Sequence, residues 1–384
     1  MKMIKKIAAL MLVFTLLFSF AACKGKNEVE ITLPEKKVAI LVAPEAQYPE
    51  DYAAAKELAA EYPEKILVKE YSDSRILRPG DAEIVQYSKE LAADASIGAI
   101  VYARATQFTV NAINAAKQIN PELKTICVEP EESIEKISKI SDLVYCADWA
   151  LAAESIVNAA AEQGAEYFVV FSINRHISEN PLLFGANKAI KEACEAKGIT
   201  YIYDGAIDPI YSSGITGAKR YIKESVARLF NNNKVQGNNV VLFSTDSSVQ
   251  STLIEVANKR GLIYVSPSFP TAYNGIGEAY EISKPESISD VKSYIESTKE
   301  VVAADTEGTA KISIYNFALA TALLKGAVYS AFEILNGTIT AENFAEKAVE
   351  WVTAAADNKE FAVTAYEGLD NVFKCFCPGF EKIK

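Results

Sequence analysis

The chain has 384 residues, of which 50% are hydrophobic and 23% are charged, the composition of a folded protein with a large buried core. Its formal net charge is -11 at pH 7. A surface this acidic repels phosphate backbones, and no basic stripe offsets it, so nucleic acid is excluded as a partner.

Residues 1–22 have the pattern of a signal peptide. Lys2, Lys5 and Lys6 precede the apolar run Ile7–Phe20. As a helix this run spans about 21 Å, too short for a hydrocarbon core of about 30 Å. It is therefore predicted to be cleaved. Without these three lysines, 36 of the 39 basic residues remain against 50 acidic ones, a net charge of -14.

The residues after this run predict a lipid anchor. Ala21 and Ala22 precede Cys23, and small residues before a cysteine resemble the lipobox of bacterial lipoproteins, which implies acylation of Cys23. Phe20 stands where that motif usually has an aliphatic residue, and cleavage into a free secreted product is the alternative. Each buried methylene contributes about 0.8 kcal/mol, so two chains would anchor the protein to the outer face of the cell membrane. The polar segment 23–36 then serves as a tether.

From Lys37 onward, short apolar strands alternate with helices. Such an alternation is typical of a parallel sheet that helices cover on both faces. The predicted strands are Val38–Ala43, Ile66–Val68, Ala99–Tyr102, Thr125–Val128 and Leu143–Tyr145, and the helices are Ala53–Tyr62, Ala82–Ala93 and Phe108–Ile119. Residues 37–147 thus form the first part of a predicted α/β lobe.

A second series of the same kind occupies residues 148–267. Its helices end near Gly or Asn, which favour helix C-termini. The predicted helices are 150–163, 182–197, 216–230 and 248–260, and the strands are Tyr167–Phe171, Tyr201–Tyr203, Val240–Phe243 and Leu262–Val265. This series predicts a second α/β lobe.

Beyond Pro267 the regular alternation stops, and residues 268–384 are assigned to the first lobe. Polar residues such as Lys325 and Glu333 interrupt the most apolar part, which is therefore a packed helix and not a membrane span. The predicted elements are helices at 287–302, 310–335 and 341–355 and a strand at Phe361–Tyr366. The fold class is α/β, with two doubly wound parallel-sheet lobes joined by hinge crossovers and a helical C-terminal return.

Ligands of open parallel sheets bind beyond the carboxyl ends of the strands. Asn174, Arg175 and His176 follow the strand Tyr167–Phe171. Arg175 offers a planar fork of donors suited to a carboxylate, phosphate or polarised carbonyl, and its neighbours add donor and acceptor atoms. The alternative is a structural loop in which Arg175 pairs with Glu179.

Acidic and aromatic residues complete the predicted ligand-binding site. Asp246 either caps the following helix, worth about 1 kcal/mol, or accepts hydrogen bonds from ligand hydroxyls. The other acids are acceptors, and the aromatic rings offer apolar walls, although an aromatic residue near a strand end is more often part of the core. These further candidates are Glu129, Asp148, Trp149, Asp208 and Tyr273.

Catalytic and metal-binding patterns are missing from the sequence. It contains no G-x-S-x-G, H-E-x-x-H or P-loop motif, and His176 is the single histidine. Besides Cys23, five cysteines remain (Cys127, Cys146, Cys194, Cys375 and Cys377), and an odd number cannot form a complete disulfide set. We therefore expect that the protein is not an enzyme and has neither a cofactor nor a metal site. The disfavoured alternative is an exported enzyme that uses carboxylates in a cleft between the two lobes.

Several of these motifs are similar to those of known families. The signal with Cys23, the two α/β series and Thr245-Asp246 resemble the periplasmic-binding-protein type I superfamily, which includes solute-binding lipoproteins and LacI-type ligand domains. Over about 37–375 the chain more closely resembles an uncharacterised lipoprotein family, domain of unknown function 3798. The motifs of this closer resemblance are Ser141-Asp142, Arg175-His176-x-Ser178, Ala193-Cys194, Asp208-Pro209, Thr245-Asp246 and Pro270-Thr271. In the sugar-binding branch, an acid matching Asp246 contacts ligand hydroxyls.

The resemblance implies a ligand-binding role. We expect an extracytoplasmic lipoprotein that captures a small polar molecule, such as a nucleoside or sugar derivative, between its lobes and passes it to an ABC-type permease. One alternative is a lipoprotein that senses its ligand and signals to a membrane receptor. Another is a LacI-like ligand domain, which would lack a DNA-binding region because the signal segment occupies that place.

Overall fold

The structure, a computed structural model, describes residues 31–72, 82–178, 181–210, 213–266, 269–340, 343–356, 361–377 and 379–384. Residues Thr32–Lys384 form one compact unit. The predicted signal peptide, Cys23 and Glu179 lie outside the described residues. No helix in the ranges just given is long and apolar enough to cross a membrane.

The first sheet has seven strands in the order β11-β12-β5-β4-β3-β1-β2. All its pairs are parallel except β11 with β12. The central strands are buried almost throughout because helices cover both faces. The strands are β1 (Lys37–Val42), β2 (Ile66–Glu70), β3 (Ile97–Tyr102), β4 (Lys124–Val128), β5 (Leu143–Ala147), β11 (Ala362–Tyr366) and β12 (Leu369–Phe376).

The second sheet has six strands in the order β13-β10-β9-β8-β6-β7. Its pairs are parallel except β10 with β13. The strands are β6 (Tyr167–Ser172), β7 (Thr200–Gly205), β8 (Val240–Ser244), β9 (Ile263–Val265), β10 (Lys311–Tyr315) and β13 (Phe380–Lys382). The predicted fold class, two α/β lobes with mostly parallel sheets, is confirmed.

Helices connect the strands and cover the sheets. Those of the first half are α1 (Pro49–Glu61), α2 (Glu83–Ala93), α3 (Thr109–Ile119), α4 (Ile134–Ser138), α5 (Trp149–Glu162), α6 (Asn174–Ser178) and α7 (Pro181–Ala196). Those of the second half are α8 (Gly214–Asn231), α9 (Gln250–Arg260), α10 (Ile276–Tyr280), α11 (Val291–Ala304), α12 (Leu319–Asn336) and α13 (Phe344–Ala355). The short helix α6 occupies the segment predicted as a loop around Arg175.

In the part of the chain that the structure describes, three crossovers join the sheets, each at the carboxyl ends of strands. β5 leads into α5, which returns to the amino end of β6; β10 leads into α12, which packs on the first sheet; and β12 leads into β13. The crossovers lie side by side, since the Asp148 amide donates to the Cys375 carbonyl at 2.9 Å and the Asn316 amide to the Gly379 carbonyl at 3.2 Å. The carboxyl edges of the two sheets therefore face each other.

The segment after β9 reaches across to the first lobe. The Thr271 hydroxyl donates to Glu50 at 2.7 Å, and the Ser289 hydroxyl donates to Glu57 at 2.7 Å. Both acids lie on α1 of the first lobe. These two hydrogen bonds hold this segment against α1, from its first turn at Glu50 to Glu57.

The predicted assignment of all of 268–384 to the first lobe is wrong for two strands. Lys311–Tyr315 pairs with β9, and Phe380–Lys382 pairs with β10, so both belong to the second sheet. The predicted helix 310–335 begins with that strand and is helical only from Leu319. In the sequence, a short buried strand that precedes a long apolar helix cannot be told from the first turns of that helix by its hydrophobic periodicity. Only the strand's pairing with β9 distinguishes the two elements.

Gly275 is held in a conformation that only glycine adopts without strain, with φ of +84°. An added Cβ would lie 2.5 Å from the Gln250 Cβ, whereas at Gly164, which has the same φ, it would meet nothing within 4 Å. We predict that Gly164→Ala costs about 1 kcal/mol of unfolding free energy from the dihedral angle alone. Gly275→Ala should cost about 1–3 kcal/mol more from the clash. Urea unfolding of both variants checks this, and equal losses would contradict it.

Candidate functional site

A buried ion pair lies at the carboxyl edge of the first sheet. Arg104 follows β3 and donates from Nε and Nη2 to Asp51 Oδ2 at 3.2 and 3.0 Å. Its Nη1 lies 3.9 Å from Oε2 of Glu129, the residue that directly follows β4. We call this group, with its neighbours, the first-lobe cluster: Tyr48, Glu50, Asp51, Arg104, Glu129, Glu131 and Phe269.

Two aromatic rings lie against the Arg104 guanidinium. Its central carbon lies 4.7 Å from the Tyr48 ring centroid and 5.0 Å from that of Phe269. Rings at this distance attract a cation through their quadrupole. The Tyr48 hydroxyl donates to Glu131. Since Phe269 belongs to the segment that crosses from the second lobe, the first-lobe cluster contains residues from both sides of the interlobe region.

Burial shifts the acids of the first-lobe cluster toward their neutral forms. It raises the pKa of Glu129 to about 7, although Arg104 and the Ala147 amide oppose the change. Burial likewise raises the pKa of Glu50 to about 7 and that of Asp51 above its usual range. One guanidinium thus compensates only part of the negative charge.

Glu129 also has a left-handed backbone, with φ of +46°. Such a conformation is costly for a residue with a side chain and occurs preferentially at ligand clamps and active sites. Ser266, directly after β9 of the second sheet, has φ of +55°. Both strained residues lie at the carboxyl ends of strands, where the sheets face each other.

A second cluster lies at the carboxyl edge of the second sheet. Arg175 Nε donates to Asp208 Oδ2 at 3.0 Å, and Nη2 to Oδ1 at 3.4 Å. Burial alone would raise the pKa of Asp208, but the Arg175 hydrogen bond and charge lower it below its usual value. The second-lobe cluster consists of Ser172, Arg175, His176, Asp208, Thr245 and Asp246.

His176 is neutral at pH 7 in this cluster. Burial, helped by the Arg175 charge, lowers its pKa to about 4. Its Nδ1 lies 3.0 Å from the Thr245 hydroxyl oxygen, which is in turn 2.9 Å from the Ser172 hydroxyl oxygen. A neutral imidazole with one nitrogen so engaged offers the other as a donor or acceptor, according to the tautomer.

Asp246 has the capping role, one of the two weighed for it. Its Oδ1 accepts a hydrogen bond from the Ser248 amide at 2.8 Å, so it caps the 3₁₀ turn Ser247–Val249. Burial raises its pKa. The Gln250 side-chain amide donates to the Asp246 carbonyl at 2.9 Å. This local network holds the carboxyl group in place beside Thr245.

Trp149 lies near both clusters. Its ring lies 5.8 Å from that of Phe269, which covers Arg104. Trp149 and Thr245 line one narrow cavity of about 10 Å³ between α5 and α7, about the space of a single water molecule. Ring contacts therefore run from Arg104 through Phe269 to Trp149, which shares this cavity with Thr245 of the second-lobe cluster.

Residues 36–313 match the family described as "Protein of unknown function (DUF3798)". The chain belongs to this family. A curated relative, an uncharacterized protein of Treponema pallidum (strain Nichols), is 28% identical over 180 residues, which are 45% of this chain and 80% of that protein.

Solved structures share the fold of this DUF3798 protein at low sequence identity. A putative transcriptional regulator from Clostridium difficile 630 has a TM-score of 0.73 and 16% identity, covering 91% of this chain and 100% of that one. An ABC transporter solute binding protein from Clostridium phytofermentas with bound L-rhamnose has a TM-score of 0.52 and 12% identity, with coverages of 92% and 96%. A periplasmic ribose ABC transporter from Conexibacter woesei has a TM-score of 0.52 and 13% identity, with coverages of 81% and 88%. The fold is thus like that of periplasmic binding proteins of type I.

Two of the residues predicted to bind ligand have structural partners in this DUF3798 protein, and a third is exposed. Asp148 accepts hydrogen bonds from the first amides of α5 and pairs with Lys374 at 3.3 Å. The Tyr273 ring lies 4.7 Å from that of Tyr294, and its hydroxyl donates to a backbone carbonyl. Asn174 is exposed at the start of α6. The clusters instead contain Glu129, Arg175, His176, Asp208 and Asp246, and Trp149 lies near both clusters.

The site also contains residues that the sequence analysis did not select. Arg104 lies two residues after the end of β3, and that position was the available signal. Asp51 lies in the first turn of α1, where an acid normally indicates only a helix start. Phe269 follows β9 and meets Arg104 only because its segment crosses between the lobes. Within the described residues, no group of three His, Cys, Asp or Glu side chains is placed to hold a metal ion.

Proposed function

We propose that this protein is an extracytoplasmic, lipid-anchored solute-binding protein that captures a small polar ligand between its lobes for ABC-type uptake. The observation that carries the proposal is the facing pair of carboxyl edges, each with a cluster of ionisable residues, and with Trp149 near both clusters. Opposed clusters of this kind suit a ligand held from both sides as the lobes close. The likeness to the L-rhamnose-bound solute binding protein supports it.

Buried polar groups without partners lie at the same strand ends. Within the described residues, they include Asp51 Oδ1, Trp149 Nε1 and the Ser266 hydroxyl. A buried polar atom left unpaired costs roughly 1–3 kcal/mol, so such atoms normally meet a ligand or a water molecule. A polar ligand in the interlobe region would satisfy them.

Ligand capture is tested by native mass spectrometry of the purified protein, followed by thermal-shift screening of sugars, nucleosides and amines. At a hundredfold excess over Kd, a ligand should add about 2.7 kcal/mol of stability. If no molecule co-purifies with the protein and no compound in the screen raises its unfolding temperature, the proposal is overturned. Incorporation of labelled palmitate by the wild-type chain, and its loss in Cys23→Ser, tests the anchor separately.

Arg175→Lys should weaken binding of the identified ligand at least tenfold, because lysine retains the charge but loses the planar fork. Isothermal titration calorimetry gives the Kd. The matched control is Arg228→Lys, which alters another Arg–Asp pair of the same lobe, 3.6 Å from Asp204 and in the last turn of α8. If the two variants bind the ligand with equal affinity, Arg175 is not part of the ligand-binding site.

A sensing role is the second candidate, and the likeness to a putative transcriptional regulator favours it. In that case the same lobes would report the ligand to a membrane receptor. Pull-down of the ligand-loaded, anchored protein from membranes distinguishes the two, since transport requires a permease and its ATPase as partners.

A further inference from the structure

Carboxyl groups outnumber cations in the two clusters. The first-lobe cluster has four acids and Arg104, and the second has two acids and Arg175, while His176 is neutral. The further pair of Asp148 and Lys374 at the hinge cancels its own charge. The six acids are Glu50, Asp51, Glu129, Glu131, Asp208 and Asp246. When all are ionised, these six acids and two arginines sum to a net charge of -4, which Lys284 near Glu50 reduces to -3.

This balance disfavours anionic ligands. A carboxylate or phosphate needs cationic donors, and both guanidinium groups already face an acid, Arg104 with Asp51 and Arg175 with Asp208. Repulsion from several carboxylates at low effective dielectric adds to this cost. A ligand with a positive charge would reduce the imbalance instead.

One acceptor in the first-lobe cluster lacks a donor. Asp51 is 1% exposed, its Oδ2 takes both hydrogen bonds from Arg104, and its Oδ1 has no partner in the described residues. An orphaned carboxylate oxygen this deeply buried is costly. An ammonium group carries three donors and no acceptor, and so matches this atom.

The aromatic residues around the cluster favour the same chemistry. The rings of Tyr48 and Phe269 already contact a cation, the Arg104 guanidinium, at 4.7 and 5.0 Å. The ring of Trp149 lies next to Phe269, and tryptophan has the strongest attraction for cations among the aromatic side chains. Acids and ring faces together form surroundings suited to a second positive charge.

We infer that the ligand is a cation, a polar molecule with a protonated amine or quaternary ammonium group that lies against Asp51 and Glu129 in the first-lobe cluster. This inference rests on the proposed function, because it names the chemical class of the captured solute. The second-lobe cluster then binds the neutral polar part of the molecule, with donors from Arg175 and His176 and acceptors from Asp246.

The test compares cations with neutral isosteres on the full-length protein. The probes are glucosamine with glucose, galactosamine with galactose, 1,4-diaminobutane with 1,4-butanediol, and choline with 3,3-dimethylbutan-1-ol. At least one cation should bind ten times more tightly than its isostere by calorimetry, and added salt should weaken it. Binding of a neutral member as tightly as its cationic partner in every pair that binds would overturn the inference.

The affinity for the cation should rise between pH 6 and pH 8. Glu50 and Glu129 have pKa values of about 7 and become carboxylates over this range. Glu129 faces Arg104, Asp51, Glu131 and the Cys146 thiol; Glu50 faces Lys284, Asp51 and Arg104. Binding should also release protons, seen as a dependence of the binding enthalpy on the buffer. An affinity that falls with rising pH would contradict the inference.

Glu129→Gln should reduce this pH dependence, leaving the part due to Glu50, and should weaken cation binding at least fivefold and binding of the neutral isostere much less. Asp142→Asn is the control, since Asp142 lies just before the amino end of β5 and pairs with Lys117 and Lys124. Neutral sugars that bind where cations fail would refute the inference and leave the proposed function standing. Failure of every probe, with nothing co-purifying, would refute both.

Discussion

Arg104→Met is expected to lower the free energy of unfolding by about 3–5 kcal/mol at pH 7.5, the usual cost of removing one partner of a buried ion pair. Both partners are buried, with side-chain exposures of 11% for Arg104 and 2% for Asp51. Methionine retains the volume between Tyr48 and Phe269 but leaves the Asp51 carboxylate without a counter-charge. Urea unfolding followed by circular dichroism measures the loss.

The loss should shrink at pH 5, because Asp51 without its cation takes up a proton and no longer buries a charge. The double variant Asp51→Asn, Arg104→Met should recover much of the stability, since it removes both charges. The control is Arg220→Met, whose side chain is 75% exposed and whose pairing with Glu224 is superficial. If Arg104→Met lowers the free energy of unfolding no more than this control does, the Arg104–Asp51 pair does not stabilise the fold.

Glu129→Gln is expected to change the pH dependence of stability. The folded protein holds the Glu129 pKa at about 7, above the ordinary 4.5, so wild-type stability from this group is fully present below pH 4.5 and is lost as pH rises through 7. Glutamine does not titrate. The stability of Glu129→Gln relative to wild type should therefore rise by about 3 kcal/mol between pH 4.5 and pH 8, from ~1.4 kcal/mol per pKa unit.

Thermal unfolding at several pH values, with heats measured by calorimetry, checks this difference. Glu122→Gln, at an exposed position, should leave the relative stability nearly constant over the same range. A flat difference for Glu129→Gln would mean that the Glu129 carboxylate is compensated in the folded state, and that the first-lobe cluster carries less excess negative charge than its geometry indicates.

The two variants also separate stability from binding at the same site. Arg104 and Glu129 belong to one cluster, so their effects should not be additive. Because Arg104 mainly offsets the charge of buried acids, we expect Arg104→Met to lower the free energy of unfolding more than it lowers the free energy of ligand binding. By contrast, Glu129→Gln should stabilise the ligand-free protein above pH 7 and weaken cation binding. The buried Glu129 carboxylate destabilises the ligand-free protein, whereas in the complex it attracts the cationic ligand.

The amino-acid sequence by itself determined the α/β class, the two successive series and the principle that the site lies at strand carboxyl ends. These follow from local features: runs of buried apolar residues, helix-ending glycines and residues such as Arg175 and Asp246 directly after strands. The neighbours that matter at those positions are near in sequence, so periodicity and position suffice to predict them.

Only the tertiary structure decided which side chains meet. Asp51 has the sequence context of a helix start, and Phe269 that of a loop; neither indicates Arg104 until the crossing segment reaches the first lobe. The membership of Lys311–Tyr315 in the second sheet was decided in the same way, by pairing with β9. Ion pairs, ring contacts and strand partners depend on distances between segments far apart in the chain, and a local pattern contains no measure of those distances.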